Sequence, residues 1–370
     1  MDITVKQHNL LQALQWVSGV SDKKHALPIL GNVLIIAEDQ KISLICSDLE
    51  LEMITTIKEG VVNKTGEITV SSRKLLDICR SLPESAEINC VVDGDRIILR
   101  AGRSRFMVAS LPAADFPVVQ LSSQEQSYLL NQKVLHDMIA RTHFAMAQQD
   151  VRYYLNGMLF VFNQSLHRVV ATDGHRLAIT KTLDNQNDSG SEAIIVPRKA
   201  ITELSRLIGG EPLELKVDVE KNHVRFIHPH FTLTSKLIEG RFPDYNKVIP
   251  PQGLHQALIA IEPLKQSLSR VSILSNEKHK GVRFLFNPHS LVIEAHNPEQ
   301  EEAEEALEMD YDGPAFEIGF NAHYILDVLN VLPPGNVVFS FSDPKDSVLL
   351  RSHTESAQST SQYVVMPLRL

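Results

Sequence analysis

The chain has 370 residues, of which 43% are hydrophobic and 22% charged. That is the profile of a globular protein with sizeable cores, long enough for two or three domains. Its formal net charge of -9 argues, on composition alone, against a nucleic-acid binder. No apolar run approaches the ~20 residues of a membrane helix, and MDITVKQHNLLQAL lacks the basic-then-apolar order of a secretory signal, so a cytoplasmic protein is expected.

The first predicted element is a helix, QHNLLQALQWVSG (7–19), with apolar residues at helical spacing. Strand patterns follow at LPILGNVLIIA (27–37) and ISLICSDLELEMIT (42–55), the second broken by a polar turn at Ser47-Asp48. VSSRKLLDICRSL (70–82) reads as an amphipathic helix behind a small polar start. The hairpin signal VDGDRI (92–97) leads into a basic run, RIILRAGRSR (96–105). LSSQEQSY (121–128) is polar and unpatterned, as a linker is.

The same order then recurs. A helix pattern at QKVLHDMIARTHFAMA (132–147) precedes strand patterns at VRYYLNGMLFVF (151–162) and HRVVATDGHRLAIT (167–180), and a helix at VPRKAITELSRLI (196–208). After a second linker, PPQGLHQ (250–256), come a helix at EPLKQSLSRVSIL (262–274), strands at KGVRFLFNP (280–288) and LVIEAHNPEQEEAE (291–304), and a helix at GFNAHYILDVLNVL (319–332). The spacing is about 125 residues. Each unit reads as helix, several strands, helix, several strands. Half-buried antiparallel strands packed on two helices give an α+β fold of three tandem two-layer domains, at 1–122, 128–250 and 256–370.

The repeat decides how to read ATDGHRLAIT (171–180), where Asp173, His175 and Arg176 stand within four positions. Alone, a carboxylate beside a histidine allows general acid–base chemistry. The counterparts of Asp173 are Asp48 and Asn297, and those of His175 are Glu50 and Glu299. Asp and Asn recur in turns because they hydrogen-bond the local backbone, so Asp173 reads as a hairpin turn residue. No nucleophile or phosphate-loop motif accompanies it, and no histidine forms a metal-ligand pattern with cysteine. Cys46, Cys79 and Cys90 are few and scattered, as buried inert thiols in a reducing compartment are. No catalytic residue, metal or cofactor is expected.

Charge is unevenly spread. Divided after residues 125 and 255, the chain carries 13 basic against 16 acidic residues, then 15 against 13, then 8 against 16. The acid is concentrated in NPEQEEAEEALEMD (297–310), while the first third carries the basic run. Complementary patches at the two ends fit head-to-tail association, and equally two solvated faces. A hydrolase using Asp173 and His175 and a three-domain scaffold that never meets DNA remain the rival functions.

Specific words then carry a resemblance: ALPILGN (26–32), DVRYYLNGMLF (150–160), ATDGHRLA (171–178), VPRK (196–199), SKLIEGRFPDY (235–245), SNEKHKGVR (275–283), NPEQEEAEE (297–305) and YVVMPLRL (363–370). In this order, over the whole chain, they resemble the β sliding clamps of bacterial DNA polymerase III. The resemblance implies a non-enzymatic processivity factor. Two chains would close head to tail into a ring of six domains, with sheets outside and helices lining a hole for duplex DNA.

The resemblance also implies sites. DNA contacts map onto Lys24, where the family's best-studied member has an arginine, and onto Gln149, Tyr153 and Tyr154. Basic residues on the hole-lining helices would add Arg73, Lys74 and Arg80, Lys133 and Arg141, Arg198, Lys199 and Arg206, and Lys265 and Arg270; the last such helix has only His323. The dimer interface would set Lys74, Arg96, Arg103 and Arg105 against Glu299, Glu301, Glu302 and Glu305 of the other chain. Phe106, Val108, Ile273 and Leu274 would supply its apolar hold.

A partner-peptide pocket maps onto Leu155, Thr172, Gly174, His175, Arg176, Leu177, Pro243, Val248 and Ser347. The tail completes it with Val364, Val365, Met366, Pro367, Leu368 and Arg369. Leu368 stands in place of a methionine, and Lys345 in place of a valine. Implied partners are a second copy, DNA without sequence preference, the clamp loader and the replicative polymerase alpha subunit. Translesion polymerases, mismatch-repair proteins and ligase would follow through Gln-x-x-Leu-x-Phe-type motifs.

Overall fold

A computed structural model describes the chain except residues 22–26, 120–125, 164, 183–191, 251–253, 278, 355–358 and 370, and describes residues 165–167 by backbone alone. The first repeat runs β1 (Asp2–Lys6), α1 (Gln7–Val17), β2 (Asn32–Glu38), β3 (Lys41–Ser47), β4 (Leu51–Ile57), β5 (Gly60–Lys64), β6 (Gly66–Ser71), α2 (Ser72–Ser81), β7 (Glu87–Asp93), β8 (Arg96–Ala101) and β9 (Ser104–Leu111). The second runs β10 (Gln126–Asn131), α3 (Gln132–Ala140), β11 (Gly157–Asn163), β12 (Ser165–Thr172), β13 (Arg176–Thr182), β14 (Glu192–Pro197), α4 (Arg198–Leu207), β15 (Glu214–Val219), β16 (His223–Ile227) and β17 (Phe231–Lys236). The third runs β18 (His255–Ala260), α5 (Ile261–Val271), β19 (Gly281–Asn287), β20 (Ser290–His296), β21 (Glu302–Glu308), β22 (Phe316–Asn321), α6 (Ala322–Val331), β23 (Asn336–Phe341), β24 (Val348–Ser352) and β25 (Ser359–Val365).

Each repeat therefore opens on a strand, where the sequence pattern predicts a helix. β1, β10 and β18 run straight into their helices with no intervening loop, so no turn residue marks the change of period. Both predicted linkers are correspondingly shorter, since Gln126 and His255 already lie in strands. The helix expected over 132–147 stops at Ala140. The Thr142 hydroxyl donates back to the Met138 carbonyl at 2.8 Å, and a separate 3-10 turn covers His143–Ala145. The helix expected to 274 ends at Val271 and continues as a 3-10 turn, Ser272–Leu274.

The chain forms two compact units. The first comprises Met1–Lys133 and Thr202–Leu237, the second Val134–Ile201 and Ile238–Leu370. In the first, thirteen strands form one sheet in the order β10-β15-β16-β17-β4-β3-β2-β6-β9-β8-β7-β1-β5. α1 and α2 pack on each other, α1 also on β3 and β4. They bury Leu10, Leu14 and Val17 of α1 and Leu75, Leu76 and Cys79 of α2. Full burial of one such aliphatic side chain contributes roughly 1.5–3 kcal/mol. All three cysteines are buried, and desolvation pushes the Cys46 and Cys79 thiols up to about 12, which keeps them protonated and inert.

In the second unit, eight strands run β14-β11-β12-β13-β25-β24-β23-β18, and a separate four-stranded sheet runs β21-β20-β19-β22. α5 packs on α6, β20 and β21. Each unit holds one junction between repeats: β4 pairs antiparallel with β17 in the first, β13 with β25 in the second.

Candidate functional site

The three hairpin turns share one device. Asp48 Oδ1 accepts from the backbone N–H of Glu50 at 2.9 Å and of Leu51 at 2.6 Å. Asp173 Oδ1 accepts from His175 at 2.9 Å and Arg176 at 3.1 Å, and Asn297 Oδ1 from Glu301 at 3.0 Å. Asp173 is thus a turn residue, as the repeat predicts. The third turn, 297–301, is longer than 48–50 and 173–175, which loosens the match of Glu299 to His175. The His175 ring stacks on Tyr324, centroids 6.1 Å apart.

This hairpin forms one wall of a cavity of about 170 Å3, lined by Arg152, Tyr154, Leu155, Thr172, Gly174, Arg176, Leu177, Pro243, Asp244, Tyr245, Val248, Val364 and Met366. Its aliphatic floor belongs to a core cluster that includes Leu177, Tyr245 and Val364. Val248 and Met366 are 42% and 43% exposed at its mouth. A small apolar cavity with a few polar groups is the form a short peptide's side-chain anchors need.

Nine of the predicted pocket residues meet here: Leu155, Thr172, Gly174, Arg176, Leu177, Pro243, Val248, Val364 and Met366. The others do not line it. His175 faces Tyr324, Val365 is fully buried, and the Ser347 hydroxyl donates to the Val248 carbonyl at 3.3 Å. Beyond Pro367, the Leu368 N–H donates to the Gly319 carbonyl at 2.8 Å, and Leu368 and Arg369 line a different groove with Gly281 and His296. Lys345 is exposed and absent from the lining. Arg152, Tyr154, Asp244 and Tyr245 are not among the predicted pocket residues, although DVRYYL and RFPDY stand within the telling words; Tyr154 is predicted as a DNA contact and lines the cavity instead.

Arg152 is held in place from two sides. Its guanidinium grips Asp150 at 3.0 and 2.8 Å and donates to the Asp173 carbonyl at 3.2 Å. The Arg152 hydrogen bonds hold the Asp150 carboxyl down to about 2. Gly174 makes room: its φ is +88°, and a Cβ there would lie 2.9 Å from Arg152 Nη1.

The predicted DNA residues divide. Lys24 lies outside the described residues. Arg73 and Arg80 are exposed on α2, with Asp77 a loose 3.8 Å from Arg73. Gln149 is exposed at φ +57°, Tyr153 is 58% exposed, and Lys199 is exposed on α4. Arg198, in contrast, is half-buried and donates to the Met146 carbonyl at 2.8 Å. Arg206 grips Glu203 at 3.0 and 2.9 Å and the Gln15 and Trp16 carbonyls at 3.3 and 3.1 Å. Arg141 lies beyond the end of α3 and donates to Ser359 Oγ at 3.0 Å. These three act first as structural ties.

The predicted interface residues divide too. Arg96, Arg103 and Arg105 are exposed on β8, β9 and their turn, and Lys74 on α2; Glu299, Glu301 and Glu302 are exposed near β21. Arg100 and Arg105 stand opposite each other across β8–β9, a like-charge pair that favours an anionic neighbour. Glu305 is already engaged within its own chain: Arg270 holds it at 2.5 and 2.6 Å and the Ser267 hydroxyl donates to it. Those bonds, Arg270 first, lower its carboxyl to about 2. Val108 is only 7% exposed, in the core of its own sheet, whereas Ile273 is 74% exposed; Phe106 and Leu274 are half-buried.

Three family models match the chain in succession: the DNA polymerase III beta subunit N-terminal domain over residues 1–120, the central domain over 129–244 and the C-terminal domain over 246–369. The chain belongs to the DNA polymerase III beta subunit family. It is 44% identical to the beta sliding clamp of Pseudomonas putida and 45% identical to that of Escherichia coli K12, each match covering 100% of both chains. Two crystal structures of Pseudomonas aeruginosa sliding clamps superpose with TM-scores of 0.95 and 0.93 at 44% identity over 100% of both chains, the second bound to griselimycin. This clamp is a processivity factor of three tandem clamp domains, and it has no catalytic role. Among the described residues no helix is long and apolar enough to cross a membrane.

Proposed function

We propose that two copies of this clamp close head to tail around duplex DNA in the cytoplasm, and that each repeat, at 1–122, 128–250 and 256–370, is one domain of the ring. The observation that carries this is a pairing rule. The strand after the Asp turn pairs with the last strand of the next repeat, β4 with β17 and β13 with β25. In the third repeat that strand is β21, a sheet edge. In the first repeat the last strand is β9, which pairs with β6 only at Ser110 and Leu111. β21 of one copy and β9 of the other complete the series. β21 carries Glu302, Glu304 and Glu308 exposed, and β9 and its turn carry Arg103 and Arg105. Carrying over the register of the first seam, where Thr55 pairs with Phe231 at the start of β17, sets Ser104 at the start of β9 opposite Glu305, and Arg105 opposite Glu304. Exposed pairs contribute ~0–1 kcal/mol each and set register. Phe106 and Ile273 hold the seam.

Arg73, Arg80, Lys199, Gln149 and Tyr153 offer DNA-facing groups, with Lys24 as a further cation. Phosphate contacts carry no sequence information, which suits a ring that slides. The cavity beside Gly174 takes the Gln-x-x-Leu-x-Phe-type segments of the clamp loader, the replicative polymerase alpha subunit, translesion polymerases, mismatch-repair proteins and ligase. Retention on nicked circular DNA, followed by release on linearisation, tests the reading. Equal retention on both forms, or none on either, contradicts it and favours a scaffold.

A further inference from the structure

We propose that Asp327, on α6, is a positioning residue of the peptide pocket and acts through Arg176; the proposal rests on the cavity beside Gly174 being that pocket. The hairpin 172–177 has two sides. Thr172, Gly174, Arg176 and Leu177 face the cavity. On the other side lies α6, whose Tyr324 and Asp327 stand three residues apart on one helix face.

The Arg176 side chain is 12% exposed, so its charge needs fixed partners. Nε donates to Asp173 Oδ2 at 3.1 Å, Nη2 to the Phe144 carbonyl at 2.9 Å, and Nη1 to Asp327 Oδ2. The guanidinium carbon lies 4.7 Å from the centre of the Tyr324 ring and 5.2 Å from that of Phe144. Asp173 Oδ1 is already taken by the turn. Asp327 is therefore the carboxylate that anchors the outer end of the fork to a rigid helix. Without it, the guanidinium keeps its Nε and Nη2 bonds to Asp173 and the Phe144 carbonyl, but its Nη1 end loses its carboxylate, and the wall at Gly174–Leu177 loses its tie to α6. In the first repeat the corresponding hairpin position is Leu51, an apolar residue, so the shared fold does not demand this arrangement.

The test uses the full-length dimer and a fluorescent peptide carrying a Gln-x-x-Leu-x-Phe segment. Asp327→Asn is expected to weaken binding about tenfold with unchanged sedimentation, and Asp327→Glu to restore it to within about twofold. In an Arg176→Met background, Asp327→Asn is expected to have no further effect; that failure of additivity is the signature of action through Arg176. Full affinity in Asp327→Asn, or an undiminished effect without Arg176, overturns the proposal. A variant that no longer folds overturns it too, because the residue would then hold the fold and not the pocket. Leu177→Ala, which lines the cavity outside this network, is the control. If it leaves affinity unchanged, the pocket reading itself fails.

Discussion

Thr180 Oγ1 lies 3.0 Å from Ser361 Oγ across the β13–β25 seam. Thr55, at the same distance from its turn in the first repeat, donates to the His230 carbonyl at 2.8 Å, just before β17. The third residue in this series is Glu305 on β21. Where the seam lies within the chain, a small hydroxyl closes it. In the seam proposed between copies, the corresponding position, Glu305, carries a charge and the flanking edge is acidic.

The first prediction concerns that seam. Arg103→Glu with Arg105→Glu is expected to dissociate the dimer at micromolar concentration, and adding Glu302→Arg with Glu304→Arg to restore it in part. Ile273→Ala with Leu274→Ala is expected to give a folded monomer, most of the effect coming from the more exposed Ile273. Sedimentation velocity measures both. A dimer unchanged in each variant removes this interface.

A second prediction uses acid. Glu305 is held down to about 2 by Arg270 and Ser267, below the usual carboxylate value. A carboxyl lowered by folding adds stability at pH values above its unfolded pKa, and that stability is lost as pH falls through the folded pKa. The Arg270–Glu305 tie should therefore stay intact between pH 5 and 8 and fail only as pH approaches about 2. Arg270→Ala should return the Glu305 carboxyl towards 4.5. Carbon-13 NMR titration of the Glu305 carboxyl reads this; an unmoved midpoint contradicts the assignment.

The repeats, the six helices among the described residues and the Asp turns are legible in the sequence because period and turn chemistry are local. β1, β10 and β18 are not, because each passes into its helix without a loop, so the change of period has no marker. Turn residues such as Asp173 can be read from the series Asp48, Asp173, Asn297. The fates of Arg206 and Glu305 cannot. Their partners, Gln15, Trp16 and Arg270, are far away in sequence, and a basic or acidic residue on an element reads the same whether it meets water or a carbonyl. Arg152 escapes prediction as a pocket residue for a related reason: what ties it to the cavity wall is the Asp173 carbonyl, about twenty residues away.

A third prediction separates exposed from committed cations. Arg73→Ala with Arg80→Ala should lower DNA affinity and reduce the slope of log K against log salt by about 0.9 for each phosphate no longer neutralised. Arg206→Ala should instead lower the melting temperature, because it frees Glu203 and two carbonyls, while leaving the salt slope unchanged. Fluorescence titration at several salt concentrations and thermal melts check both. A larger slope change for Arg206→Ala than for the α2 pair reverses the assignment.

The last prediction turns on Gly174. At φ +88° an L side chain is strained by roughly 1–2 kcal/mol. The added methyl would also meet Arg152 Nη1 at 2.9 Å and Nη2 at 3.0 Å. That guanidinium cannot easily withdraw, because Asp150 holds two of its nitrogens and the Asp173 carbonyl accepts a third bond. Gly174→Ala is therefore expected to move Arg152 or the hairpin, lower the melting temperature, and weaken peptide binding. Met366→Ala, at the opposite wall, should weaken binding with no change in melting, since its side chain stands at the cavity mouth. Deleting Met366 to Leu370 removes that wall and the Leu368 tie to Gly319 but leaves β21 and β9 intact, so the dimer should persist while affinity falls at least about tenfold. Fluorescence anisotropy and sedimentation on the same samples decide it: full affinity in the truncated dimer, or in Gly174→Ala, shows that the peptide binds elsewhere.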